Sequence, residues 1–452
     1  MTNTPLMLSV SGARGIVGET MTAEVASAYA DAFASFLHDK LGRLPSLCIA
    51  RDSRPSGPAL QTSAAESFVT CGCRVTDLGV VATPTAAVMI NSLQADGGLI
   101  VTASHNPTPW NGLKCLDGDG LAPSKEDAEE IIRRFHANTA LPKTDGGTLV
   151  CDARGHDTHI AKLLGVIDPQ PIGEKQFRVV LDSINGAGCA AGYKLLELLG
   201  CQILHLNGKP TGEFAHAPEP KKENLTGLCD AVVEFDADVG FAQDPDADRL
   251  AIVDETGFYF GEEYTLALAA MRWLQEHPNS STATNLSTSR MIDDIANSYG
   301  CKTWRASVGE ANVANAMKKH GCVIGGEGNG GVIFPKVCWV RDSLAGMALT
   351  LDLMQLRGEK LSTIIEGIQS YEMVKRTIVL DNLGGIPAVE KEIERLKLEY
   401  QNEQIDETDG LRIDFNEGWL HVRPSNTEPI ARVIAEAMDS STANKLSNLV
   451  KL

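Results

Sequence analysis

Long apolar runs are missing from this chain. None approaches the ~18 residues that a membrane-spanning helix requires, and the first basic residue is Arg14, so the sequence predicts neither signal peptide nor anchor. A basic excess is missing too: 40 Lys and Arg stand against 59 Asp and Glu, for a formal net charge of −19. Binding to nucleic acid or to an anionic membrane surface needs the opposite balance, so neither is an expected partner. If the ligand is an anion, positive charge must be gathered locally. Paired cysteines are also absent. The eleven cysteines are odd in number and contain no CxxC, which argues against a disulfide framework and for reduced, small apolar residues in a cytoplasmic protein. Cys71 and Cys73 are not read as metal ligands, because no second pair follows at ligand spacing.

What is present is a globular chain of 452 residues, 43% hydrophobic and 22% charged, too long for one core and suited to three or four domains. Three segments share a plan of apolar strand, polar turn, amphipathic helix and a Gly-Cys pair leading into another strand. They begin at Leu47, Phe177 and Thr282, with the Gly-Cys pairs at Gly72, Gly200 and Gly300, where glycine suits the left-handed residue that closes a helix. Repeated strand–helix–strand units at ~100-residue spacing imply successive α/β domains built alike. After about residue 370 the pattern changes. "LRIDFNEGWLHVRPS" predicts a hairpin turning at Asn416 to Gly418, and a helix follows near Ala443. The expected fold is therefore α/β: three similar mixed α/β domains and a smaller α+β C-terminal domain. The best loop before the second unit is "HANTALPKTDGGT", residues 136 to 148.

Four loops carry chemistry. In "GGLIVTASHNPTPWNGLK", residues 97 to 114, a buried strand breaks at Thr102 into a tight turn that presents Ser104 and His105. It is not a nucleophile elbow, since Thr102 and Asn106 occupy the flanking glycine places. "DPDADRLAIVDETG" sets Asp244, Asp246 and Asp248 at alternate positions, where a curved loop could wrap three mutually repelling carboxylates around one cation. Hard oxygen ligands point to Mg²⁺. An EF-hand is excluded because Arg249 holds the place where that loop needs glycine. "GGEGNGGVIFP", residues 325 to 335, fits GxGxxG by letter, yet it runs into a strand and not a helix, so a dinucleotide site is not expected. Its glycines, Gly328 among them, suit close approach to a polyhydroxyl ligand read by Glu327 and Asn329. "RPSNTEPIAR" supplies Arg423, Ser425, Asn426 and Thr427 in one turn, the equipment of an anion nest.

Taken in order, these loops resemble the α-D-phosphohexomutase superfamily, the phosphoglucomutase, phosphomannomutase and phosphoglucosamine mutase group, over essentially the whole chain. "SGARGIVGE" is similar to the family's opening loop, "TASHNP" to its phosphoserine loop, "DPDADR" to its metal loop, "PEPKKENL" to a second-domain segment and "RPSNTEP" to its phosphate loop. The resemblance implies four domains in a heart-shaped arrangement around a central cleft: 1–155 with the phosphoserine, 156–256 with the metal, 257–369 for the sugar and 370–452 for the phosphate. It also implies a cytoplasmic isomerase, a monomer or homodimer, with a phosphosugar substrate. Such an enzyme moves a phosphoryl group between the 6- and 1-positions of a sugar phosphate through a bisphosphorylated intermediate, with a hexose 1,6-bisphosphate as activator.

In that scheme Ser104 carries the phosphoryl group and joins Asp244, Asp246 and Asp248 around Mg²⁺. Arg14 and Arg249 add positive charge there, His105 holds the phosphoserine, and Lys114 accepts the proton of the reacting hydroxyl, a role that requires a pKa below that of an ordinary lysine. Arg423, Ser425, Asn426 and Thr427, with Arg432, clamp the phosphate that is not being transferred. One departure stands out: Asn329 and Gly331 replace the Ser and His of the "GEMSGH" form. "GEGNGG" together with "RPSNTEP" is closer to members read as phosphoglucosamine mutases, so glucosamine phosphate is the expected substrate, with phosphoglucomutase or phosphomannomutase activity the alternative. A metal-dependent phosphatase and a silent sugar-phosphate sensor are the rival readings; the second phosphate clamp argues against the first, and the retained Ser104 and aspartates against the second.

Overall fold

The structure, a computed structural model, describes residues 6–380, 385–425 and 430–452. The chain packs as two units, the first running to Trp273 and taking in Asn329–Ile365, the second formed by Leu274–Gly328 and Glu366–Leu452.

Two sheets lie within the first unit. The larger has the order Met7–Ser9, Gly12–Ile16, Trp110–Asp117, Gly97–Val101, Ser46–Arg51, Arg74–Val80, Thr148–Cys151. Ser46–Arg51 is parallel to both its neighbours, and every residue of Gly97–Val101 is buried, as a strand covered on both faces must be. The helix Ala23–Leu41 supplies part of that cover through Ala30, Phe33, Ala34 and Leu37, a spacing that puts all four on one helical face. It starts where the Thr22 side chain accepts the Val25 N–H and stops at Gly42 in the left-handed region. The second sheet has the order Leu250–Asp254, Val239–Gln243, Arg178–Asp182, Gln202–Leu206. Its middle strands are again parallel and fully or largely buried.

In the second unit, Ser281–Asn285 runs parallel to Lys302–Ala306 and Ile324–Glu327. A separate antiparallel sheet follows, ordered Glu372–Val379, Ile430–Ala437, Gly418–Pro424, Leu411–Asp414, Gln404–Asp406. The hairpin pairs Asp414 with Trp419, as its sequence predicts. Leu411, Ile413, Leu420 and Val422 enter one core. The opposite face is buried too, which alternation alone does not reveal. Arg412 Nη1 donates to Leu286 O (2.5 Å), His421 Nδ1 lies 2.9 Å from Ser287 Oγ, and Trp419 Nε1 donates to Glu436 Oε1 (2.6 Å). The polar residues of this face are thus bonded inward.

All three strand–helix–strand units form with parallel strand pairs. Gly72, Gly200 and Gly300 close their helices at φ +86°, +74° and +68°, a backbone region that side chains with a Cβ enter only at a cost.

Candidate functional site

The first unit gathers its polar groups at the carboxyl ends of parallel strands. Gly97–Val101 ends in Thr102, Ala103 and Ser104; Ser46–Arg51 ends in Asp52 and Arg54; Arg74–Val80 leads to Thr83; Val239–Gln243 leads to Asp244. Strand ends in open α/β sheets leave backbone groups unpaired there, which is why ligands bind at this edge.

Ser104 is buried and stands at φ +49°, a strained place for a residue with a Cβ. Its backbone is held on both sides. The Ser104 N–H donates to Thr102 Oγ1 (2.9 Å), and the Thr102 hydroxyl donates to Asp52 Oδ2 (2.7 Å). Arg54 Nη2 donates to Ser104 O (2.6 Å) and Asn106 O (2.7 Å), Nη1 to Pro107 O (3.0 Å) and Trp110 O (3.1 Å), and Nε to Asp52 Oδ2 (3.0 Å). A single fully buried guanidinium therefore ties down the turn. The Ser104 hydroxyl donates to Asp244 Oδ2 (3.3 Å) and lies 3.3 Å from His105 Nδ1. Burial, with Arg249 and Arg14 nearby, pushes the His105 pKa down to about 2, so its imidazole is neutral.

Asp244, Asp246 and Asp248 are buried, and one ligand atom from each lies within 4.8 Å of the others. The loop curls through Ala247 at φ +53°. Each carboxylate divides its oxygens. Asp244 Oδ1 accepts the N–H groups of Asp248 and Arg249 (both 3.1 Å), while Oδ2 faces Ser104. Asp246 Oδ2 accepts from Thr83 Oγ1 (2.7 Å), and Asp248 Oδ2 from Arg341 Nη2 (2.5 Å). Asp246 Oδ1 and Asp248 Oδ1 are buried with no hydrogen-bond partner among the described residues, a costly state unless a cation completes them. Burial raises Asp244 and Asp246, and their mutual repulsion with Asp248 adds to it. For Asp248, burial is outweighed by Arg341, Lys114 and Arg249, which hold the carboxyl below its usual range.

Basic groups ring the cluster. Lys114 Nζ lies 3.8 Å from Asp248 Oδ2, Arg249 Nε 3.9 Å from Asp248 Oδ1, and Arg14 Nη1 donates to Asn106 Oδ1 (3.0 Å). Arg249 Nε has no hydrogen-bond partner among the described residues.

In the loop "GGEGNGG" the chain passes from the second unit to the first, Glu327 and Gly328 belonging to one and Asn329 to the other. Glu327 is buried and Oε1 accepts from Asn285 Nδ2 (2.8 Å) and Gly309 N–H (3.1 Å); Gly328 N–H donates to Thr288 Oγ1 (3.0 Å). Arg423 and Arg432 are directly opposed on adjacent antiparallel strands, a like-charge pair that favours an anion between them. Arg423 Nε is 4.0 Å from Asp409 Oδ2. Ser425 is buried beside them in sequence, and Asn426 and Thr427 lie outside the described residues.

Gly331 has a steric cause. A Cβ there would stand 2.1 Å from Arg341 Cδ and 2.7 Å from Cγ.

Comparison with known proteins matches four parts of the chain to families described as phosphoglucomutase/phosphomannomutase alpha/beta/alpha domain I (residues 7–141), domain II (157–257), domain III (261–371) and C-terminal domain (381–450). The chain belongs to the phosphoglucomutase/phosphomannomutase family. It is 36% identical over 440 residues to a protein of Methanopyrus kandleri named "Probable phosphoglucosamine mutase", covering 96% of this chain and 95% of that one. A protein of Thermococcus kodakarensis named "Phosphoglucomutase/phosphomannomutase" is 35% identical over 442 residues, covering 97% and 96%. A crystal structure of a family member from Burkholderia thailandensis superposes with a TM-score of 0.85 at 24% identity, covering 98% and 96%. As a phosphohexomutase, the chain is an isomerase that transfers phosphoryl groups.

Within this phosphohexomutase, sequence reading missed Asp52, Arg54, Thr83, Thr102, Arg341 and Asp409. The first two stand in "RDSRPSG" and Thr83 in "ATPT", which read as turns; nothing local says that an arginine in a turn is fully buried. Among the described residues no helix is long and apolar enough to cross a membrane.

Proposed function

We propose that this phosphohexomutase carries its phosphoryl group on Ser104 and acts on glucosamine phosphate. The observation that carries the reading is the Ser104 hydroxyl, held in a left-handed turn and 3.3 Å from Asp244 Oδ2 at the edge of a buried tricarboxylate. The donor set fits a hard divalent cation: all ligands are oxygens, and two of them are buried and orphaned. Asp244, Asp246 and Asp248, with an oxygen on Ser104, would hold Mg²⁺, which when bound neutralises negative charge on the phosphoryl oxygens.

The chain's own groups do the rest. Phospho-Ser104 gives its phosphoryl group to the free hydroxyl of a sugar monophosphate: the Ser Oγ–P bond breaks, a sugar O–P bond forms, and the hydroxyl proton passes to Lys114, which accepts it as the neutral amine. After the bisphosphate turns round, its other phosphoryl group returns to Ser104 and the proton goes back to the sugar oxygen. Arg14 and Arg249 stabilise the charge on the group in transfer, and neutral His105 orients the serine oxygen. Arg423 and Arg432, with Ser425, Asn426 and Thr427, clamp the other phosphate. Glu327, fixed by Asn285 and Gly309, and Asn329 read the sugar. A hexose 1,6-bisphosphate serves as activator by phosphorylating Ser104.

Glucosamine is favoured by a buried carboxylate in an otherwise uncharged sugar loop, since Glu327 accepts more strongly from a protonated amine than from a hydroxyl. The name of the Methanopyrus relative points the same way, and that of the Thermococcus relative supports glucose and mannose phosphates as the alternative. One extra charge-assisted bond gives about tenfold discrimination. The test is kcat/KM for glucosamine 6-phosphate against glucose and mannose 6-phosphates with the same activator, beside intact-mass analysis of Ser104→Ala. A higher value for a neutral sugar overturns the sugar assignment; phosphate transfer surviving in Ser104→Ala overturns the carrier.

A further inference from the structure

Arg341 lies 93 positions from Asp248 in sequence and donates to it at 2.5 Å. Its backbone is fixed by an antiparallel bridge to Ile333, and the next residue, Asp342, donates its N–H to Val332 O (2.8 Å). The guanidinium reaches Asp248 along the strand that begins with Gly331, and it does so through the place where any other residue would carry a Cβ. At 2.1 Å from Cδ, that Cβ would collide with the middle of the arginine stem, not with a mobile tip. Gly331 itself is outside the left-handed region, so an alanine there meets no backbone strain and its effect is steric alone.

The contact is specific to one oxygen. Arg341 occupies Asp248 Oδ2, and Lys114 approaches the same oxygen at 3.8 Å. That leaves Asp248 Oδ1, like Asp246 Oδ1, buried with no hydrogen-bond partner among the described residues. We propose that Arg341 is a positioning residue that fixes Asp248 as a one-oxygen ligand of the metal site, and that Gly331 is required because it leaves the space through which Arg341 reaches it. The inference rests on the tricarboxylate being the metal site. Partners that orient a metal-binding side chain typically contribute 10–100-fold to affinity.

The experiment is direct Mn²⁺ binding, by calorimetry and by the Mn²⁺ paramagnetic resonance signal, on the full-length chain. It compares wild type, Arg341→Met, Gly331→Ala and the double variant, with circular dichroism to establish that each is folded. Both single variants are expected to bind Mn²⁺ at least tenfold more weakly, and the double variant no more weakly than Arg341→Met alone. The Mg²⁺ concentration that half-saturates turnover should rise by a similar factor, which a purely structural loss would not produce. Either single variant binding Mn²⁺ as tightly as wild type, or more tightly, overturns the proposal. So does a double variant that loses the product of the two single effects. A wild type that binds no Mn²⁺ would instead refute the metal reading itself. Should Gly331→Ala misfold, the Arg341→Met comparison decides alone.

Discussion

Arg54→Met removes a buried side chain that ties down the Ser104 turn. Arg54 is 0% exposed and donates to Asp52 and to four backbone carbonyls, those of Ser104, Asn106, Pro107 and Trp110. Methionine keeps much of the volume but leaves Asp52, also 0% exposed, without its cation. Breaking one side of a buried ion pair costs roughly 3–5 kcal/mol. Burial already pushes the Asp52 pKa up in spite of Arg54, so the carboxyl can take a proton, and the loss should fall near the lower end, about 3 kcal/mol. At roughly 2–4 °C per kcal/mol for a large domain, the first transition in a thermal melt should drop by about 6–12 °C.

The effect on turnover should exceed the effect on folding. Holding Ser104 at φ +49° costs about 1–3 kcal/mol, and without Arg54 the turn is free to relax. A nucleophile misplaced by ~1 Å can lose about a hundredfold in rate. The assay is turnover at a temperature well below the variant's melt, alongside phosphorylation of Ser104 by a hexose bisphosphate. Asp52→Asn/Arg54→Met serves as the control, because an amide leaves no buried charge; it should regain about 1–2 kcal/mol of stability and none of the lost rate. A folded Arg54→Met variant with wild-type turnover would refute the argument, whatever its melting temperature.

Arg423→Ala should weaken binding of both 1- and 6-phosphates by roughly 1.5–3 kcal/mol, the range for hydrogen bonds to a charged group. It should leave the unliganded melt close to wild type, because the opposed Arg432 loses a like charge; unchanged affinity for both phosphates would mean that the pair binds something else. Burial lowers the His421 pKa from 6.5 to about 4, so below pH 6.5 the unfolded chain takes up a proton that the folded one refuses. The second unit should therefore lose up to about 3 kcal/mol between pH 6.5 and 4 and be unaffected above that window; a melt of His421→Gln that falls as steeply as wild type over this range would rule the assignment out.

The fold was legible where the signal is local. A strand ending in a polar turn, a helix closed by glycine and a hairpin between alternating apolar residues all lie within windows of a dozen residues. Gly72, Gly200 and Gly300 could be placed from sequence because their task, a positive φ, is dictated by their neighbours in the chain. The three aspartates were legible for the same reason: alternate carboxylates in one short loop repel unless a cation joins them. What the loop could not reveal is which oxygen of each carboxylate is already taken. Thr83 lies 163 positions from Asp246 and Arg341 93 from Asp248, and no periodicity spans such distances.

Gly331 shows the limit most clearly. Read as a letter, it is a missing imidazole and a gap in the sugar loop. Its φ is not the left-handed value that justifies the helix-closing glycines, so backbone freedom does not account for it. The 2.1 Å approach of Arg341 does. A glycine that serves a turn is explained by the residues beside it, whereas one that serves a passage is explained by the side chain passing through. That side chain is ten positions after it in sequence, and the carboxylate it reaches lies 93 positions before the arginine. The departure in "GEGNGG" and the arginine in "VRDS" are therefore two halves of one device, and substituting either alone should disturb the same carboxylate, Asp248.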